Sequence, residues 1–118
     1  MKAEQRAAIA TIAASIVHGK DHSGAHDYTR GQHTAVSVRL NGSRITAHDY
    51  GRGVAIQGTT TSLHDFGEGG AITMRAPSGS KITGHDFGSG SAFTATVKGN
   101  RVTLYDYGDG QYHEFQVR

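Results

Sequence analysis

From Ala35 onward, apolar and polar residues alternate in short runs, and glycine-containing turns separate most of them. Ala35–Leu40 (AVSVRL) stops at Asn41-Gly42, the dipeptide best suited to a two-residue hairpin turn. Arg44–Tyr50, Gly53–Gln57, Ser62–Phe66, Ala71–Ala76, Lys81–Phe87, Ser91–Lys98, Arg101–Tyr107 and Gln111–Val117 repeat the pattern. Alternation of this kind predicts strands with one buried face, because successive side chains point to opposite sides. Only Lys2 to about His18 has another period. There Ile9, Ile12, Ala13, Ile16 and Val17 recur at three- and four-residue spacing, the core-facing stripe of a helix, and Gly19 supplies its stop. The alanines between them make this helix thin enough to approach a sheet closely.

The expected fold class is mainly β (α+β). It is an antiparallel meander of eight to ten short strands built from repeated hairpins, curled or barrel-like, with one N-terminal helix packed on it. Residues 1–118 form a single domain: a helix over 1–18, a polar loop or degenerate first repeat over 19–32, and hairpin repeats over 33–118.

The hairpins share a motif. HDYGRG begins at His48, HDFGEG at His64, HDFGSG at His85 and YDYGDG at Tyr105, while His26–Gly31 (HDYTRG) lacks only the first glycine. The aspartates at 27, 49, 65, 86 and 106 mark a repeat near twenty residues, the length of one supersecondary unit. By parity Asp49, Asp65, Asp86 and Asp106 close the inward rows just before the Gly-x-Gly turns. Their carboxylates are expected to accept hydrogen bonds from turn N–H groups, a structural role. The glycines are expected to supply positive φ there.

Composition narrows the chemistry. The chain has 118 residues, a formal charge of +2 and no cysteine, which excludes disulfides and thiol catalysis. Glu4, Thr11 and Ser15 interrupt the apolar N-terminal run, so it reads as neither a leader nor a membrane span, and a cytoplasmic location is expected. No nucleophile elbow or phosphate loop is present. His-Asp neighbours suggest a metal-dependent hydrolase, but adjacent strand residues point to opposite faces and cannot share one ion. His18, His22, His26 and His33 form a looser group whose intervening glycines argue against a helical metal site. Neither a metal nor a cofactor is expected, and an enzyme is the less favoured class.

The outer face offers the better candidates. Arg39, Arg44, Arg75, Lys81, Lys98 and Arg101 fall at the hairpin ends away from the motif. His48, His64, His85 and Tyr105 follow, then the rings of Tyr50, Phe66, Phe87 and Tyr107. Cations with flat rings suit an anionic ligand that also carries a ring. The expected function is a small, non-enzymatic, oligomeric binding protein for a phosphate-bearing ligand: a nucleotide, nucleotide messenger or short nucleic acid. Its rivals are an assembly module whose aromatic and histidine face joins subunits, and a His/Asp hydrolase.

Overall fold

The computed structural model describes Met1–Arg118. One helix, α1 (Ala3–His18), precedes ten strands: β1 (His22–Asp27), β2 (Gln32–Asn41), β3 (Arg44–Asp49), β4 (Val54–Thr59), β5 (Ser62–Asp65), β6 (Gly70–Met74), β7 (Lys81–Asp86), β8 (Ser91–Lys98), β9 (Arg101–Asp106) and β10 (Gln111–Val117). Each strand pairs antiparallel with the next, and β1 pairs with β10 through Ala25 opposite Val117, which closes a barrel. The polar segment after the helix is therefore a folded repeat, since β1 and β2 form a hairpin across the HDYTRG turn.

Closure comes from stagger between hairpins. Asp49 lies opposite Val36 on one side of β2, whereas Asp27 lies opposite Gln32 on the other. Asp65 lies opposite Ile56, two residues beyond the Val54 that faces Asp49. Steps of the same sense tilt every strand and leave no free edge.

The helix fills the barrel. Ile9, Ile12 and Ala13 are buried as the stripe requires, but so are Ala7, Thr11 and Ala14 on the opposite side, all at 0% exposure. They belong to or adjoin one core cluster to which every strand contributes, from Ala25 on β1 to Phe115 and Val117 on β10. A helix with side chains is about 10–12 Å across, and alanine keeps it near the lower bound, so a ten-stranded barrel can enclose it. Gly19 ends it at φ 67° and donates its N–H to the Ser15 carbonyl at 2.8 Å. No helix is long and apolar enough to cross a membrane. Outward strand positions carry Ser37, Arg39, Thr46, Gln57, Thr94 and Thr96, all outside the buried set.

Candidate functional site

The odd-numbered strands all end at their motif aspartate, so five carboxylates meet at one end of the barrel. Asp49, Asp65, Asp86 and Asp106 have 0% exposure and Asp27 has 2%. The Asp49 Oδ1 accepts from the Gly51 and Arg52 N–H groups at 3.0 and 3.3 Å, and its carbonyl accepts from Gly53 N–H at 2.8 Å. Asp65 repeats this with Gly67, Glu68 and Gly69. Only the second glycine of each turn needs positive φ, as at Gly53 (68°). The first lies outside the positive-φ region, and Thr29 takes its place in the β1–β2 turn, but space excludes a side chain at two of the other turns. A Cβ on Gly67 would lie 2.9 Å from Val54 Cγ2, and one on Gly108 would collide with Ser91 Oγ.

The remaining carboxylate oxygens are met according to the residue between the glycines. Where it is Arg, the side chain reaches its own aspartate: Arg30 Nε to Asp27 and Arg52 Nε to Asp49, each at 2.7 Å. Ser89 does the same for Asp86 through a 2.6 Å hydroxyl bond. Where it is acidic, help comes from elsewhere. Arg52 Nη2 also reaches Asp65 at 3.1 Å, and Arg6 with the Met1 ammonium reaches Asp106, both at 3.2 Å. Burial disfavours the charged form of Arg52, yet its hydrogen bonds to Asp49 and Asp65 outweigh that and raise its pKa. The helix N-terminus, which no side chain caps, points into this ring, so its positive dipole end faces the carboxylates.

Asp106, Asp109 and His113 bring three potential metal-ligand atoms within 4.8 Å of one another. They are already engaged. The Arg6 guanidinium lies 3.5 Å from Asp109, and His113 Nε2 lies 2.7 Å from it. Burial pushes the Asp109 carboxyl up, but bonds from His113 and the Gln111 N–H, with the Arg6 charge, hold it below its ordinary value. A metal would have to displace or oppose a guanidinium and an ammonium, so this donor set does not favour one.

The motif histidines face outward. His48, His64 and His85 each meet the ring two residues on, at 4.5 Å between centroids, while His26–Tyr28 and Tyr105–Tyr107 make the same edge contact at 4.8 and 4.6 Å. Because the sheet closes, the fourteen candidate ligand-binding residues encircle a cylinder and do not converge. Tyr50 after β3 and Phe66 after β5 lie on other sectors than Tyr107 after β9. Arg39, Arg44 and Arg75 stand on or beside β2, β3 and β6, exposed and without ion-pair partners.

One sector does bring cations and rings together. Across β7–β10 a groove of about 730 Å³ is lined by Lys81, Thr83, Thr94, Thr96, Thr103, Tyr105, Tyr107, Gly110 and Tyr112. A second hollow of about 240 Å³, lined by Thr96, Lys98, Arg101 and Thr103, continues it. Tyr112 stands directly across from Tyr105 and is 71% exposed, with their ring centroids 4.6 Å apart. Lys81 and Lys98 have no acidic partner. Arg101 does: its Nη1 lies 2.7 Å from Glu114, and its guanidinium lies 5.2 Å from the Tyr28 ring centroid.

Sequence reasoning passed over Tyr112 and the threonines of β8, although Phe115 and Val117 facing inward set Tyr112 outward by parity. The chain matches no protein-family model, no curated protein and no solved structure.

Proposed function

We propose that the protein is a non-enzymatic binding module whose ligand carries both a flat ring and phosphate, seated in the β7–β10 groove. One observation supports this most: Tyr105, Tyr107 and Tyr112 line the same groove as the unpaired Lys81, with the unpaired Lys98 in the adjoining hollow. Its volume falls within the range of small-molecule sites, about 300–1,000 Å³. Tyrosine faces provide stacking, lysines provide charge, and the threonine hydroxyls between them can bond ribose or phosphate oxygens.

The spacing favours an extended ligand. The unpaired Lys98 lies across from Arg101, four residues from Tyr105 along β9, about 13 Å at 3.2–3.4 Å per residue. A nucleoside di- or triphosphate, or a dinucleotide, fits that separation better than a monophosphate. Thermal-shift and calorimetric titration with a nucleotide panel tests the reading. We expect saturable stabilisation by the longer phosphates, weakened at least about tenfold by Tyr112→Ala or Lys81→Glu, the loss of one anchoring contact. No stabilisation by any nucleotide rejects it.

Assembly is the second reading, supported by the five rings of Tyr28, Tyr50, Phe66, Phe87 and Tyr107, which are 49–62% exposed around the barrel. Light scattering tests it: a concentration-dependent oligomer dissociated by Phe66→Ser with Phe87→Ser supports it, and a monomer at all concentrations rejects it.

A further inference from the structure

The modest net charge conceals a polarised molecule. Lys2, Arg6, Arg30 and Arg52 stand at the motif end, and each pairs with a carboxylate. The other eight Lys and Arg residues stand at the opposite end. Arg39 and Arg44 flank the β2–β3 hairpin, and Arg75 and Lys81 flank the β6–β7 connection. Lys98 and Arg101 flank the β8–β9 hairpin, and Lys20 and Arg118 lie beside the start of β1. Of these only Arg101 is in an ion pair.

Just two of the ten carboxylates accompany the eight, Asp21 and Glu114. Counting side chains alone, eight cations against two acids give this rim a formal +6, and four against eight give the motif end −4, which together make the +2 of the sequence. Asp21 is turned to the Leu40 N–H at 2.8 Å, and Glu114 to Arg101. Seven cationic side chains without an acidic side-chain partner are left around an end of a molecule measuring 31 × 30 × 27 Å. A field of that shape steers a polyanion toward the rim.

We propose that this rim is a docking surface for the phosphate backbone of double-stranded nucleic acid, bound without regard to base sequence. The cation-bearing β6–β7 and β8–β9 hairpins are two strands apart, about 10 Å at 4.7–4.9 Å per strand, close to the roughly 12 Å width of a duplex major groove. The rim turns hold Asn41-Gly42-Ser43, Thr59–Ser62, Ser78-Gly79-Ser80 and Gly99-Asn100, the hydroxyls, amides and accessible N–H groups that contact phosphate. None of these turns carries an aromatic ring on which an unstacked base could lie, which favours a duplex over a single strand. They also carry no large apolar side chain to enter a lipid layer.

This inference rests on the rim charges, of which Lys81, Lys98 and Arg101 also border the nucleotide groove and its adjoining hollow. Its test therefore uses Arg39 and Arg44, which lie outside that groove. Fluorescence anisotropy compares a short duplex, a single strand of the same length and anionic vesicles, from about 50 to 200 mM salt. The expected result is duplex binding at least as strong as single-strand binding. If about four phosphates are neutralised, log K should fall against log salt with a slope near −3.6, about −0.9 per contact.

Arg39→Glu with Arg44→Glu should weaken the duplex complex at least about tenfold and flatten the slope by about two, with thermal unfolding and nucleotide binding unchanged. Three results would each overturn the proposal: no duplex binding at the lowest salt, stronger single-strand binding that Tyr112→Ala abolishes, or binding confined to vesicles. Wild-type affinity in the double variant would do so as well.

Discussion

Replacing Arg52 with methionine keeps an unbranched apolar stem out to the position of Nε and removes the guanidinium with its charge and hydrogen bonds. In the native barrel its Nε bonds Asp49 at 2.7 Å, and its Nη atoms reach Asp65 at 3.1 and 3.3 Å. The guanidinium side chain is only 11% exposed and both aspartate side chains are 0% exposed, so screening by solvent is slight. Removing one member of a buried pair costs about 3–5 kcal/mol, because the abandoned charge stays desolvated. For a domain of this size that lowers Tm by roughly 10–20 °C. The assay is urea unfolding at neutral pH followed by circular dichroism, with Arg52→Lys as the partner variant. Lysine keeps the charge but cannot fork between two carboxylates, so it should fall between wild type and methionine. A loss below about 1 kcal/mol for Arg52→Met would refute the view that this arginine neutralises two buried carboxylates.

Two further outcomes follow from the interior. Ala14→Leu should destabilise by about 1–3 kcal/mol through overpacking, because Ala14 is buried on the side of α1 away from the isoleucine stripe; an unchanged urea midpoint would mean that this side of the helix has free space. His22 sits beneath His18, 2.9 Å from its Nδ1, and its other ring nitrogen bonds the Arg118 carbonyl at 2.9 Å. Burial first, then the His18 and Lys20 charges, lower its pKa from 6.5 despite that carbonyl and Asp21. The unfolded chain therefore takes up the proton more readily, so this contribution is complete above 6.5 and lost as pH falls through and below it. Urea midpoints measured across that window should decline in wild type and decline less in His22→Gln; identical slopes would assign the pH dependence to other groups.

The hairpins were readable because strand parity and turn chemistry are local. Asn41-Gly42 and the Asp-x-Gly turns fix neighbouring strands within a few residues of each other. Closure was not readable, since an open meander and a barrel share the same alternation and differ only in stagger between hairpins. The helix shows the same gap. Ile9, Ile12 and Ala13 make a stripe, and the alanines opposite, Ala7 and Ala14, read only as a thin profile, although a helix small on its remaining faces is what a barrel interior demands. The Asp49–Arg52 bond has a visible three-residue spacing that Asp27 and Arg30 repeat. The reach of Arg52 to Asp65 and of Arg6 to Asp106 depends on neighbouring turns and on the position of the helix. At the candidate site, parity set each ring and cation outward but could not say which share a sector. Closure separates Tyr50 from Tyr107 and gathers Lys81, Tyr105 and Tyr112.

The most direct measurement is a backbone-amide NMR titration with a nucleoside triphosphate. The proposed function predicts saturable shifts confined to the β7–β10 sector, centred on Lys81, Thr94, Thr96, Thr103, Tyr105 and Tyr112, with the β3–β5 sector unmoved. Shifts spread evenly around the barrel, or absent at saturating nucleotide, would contradict it.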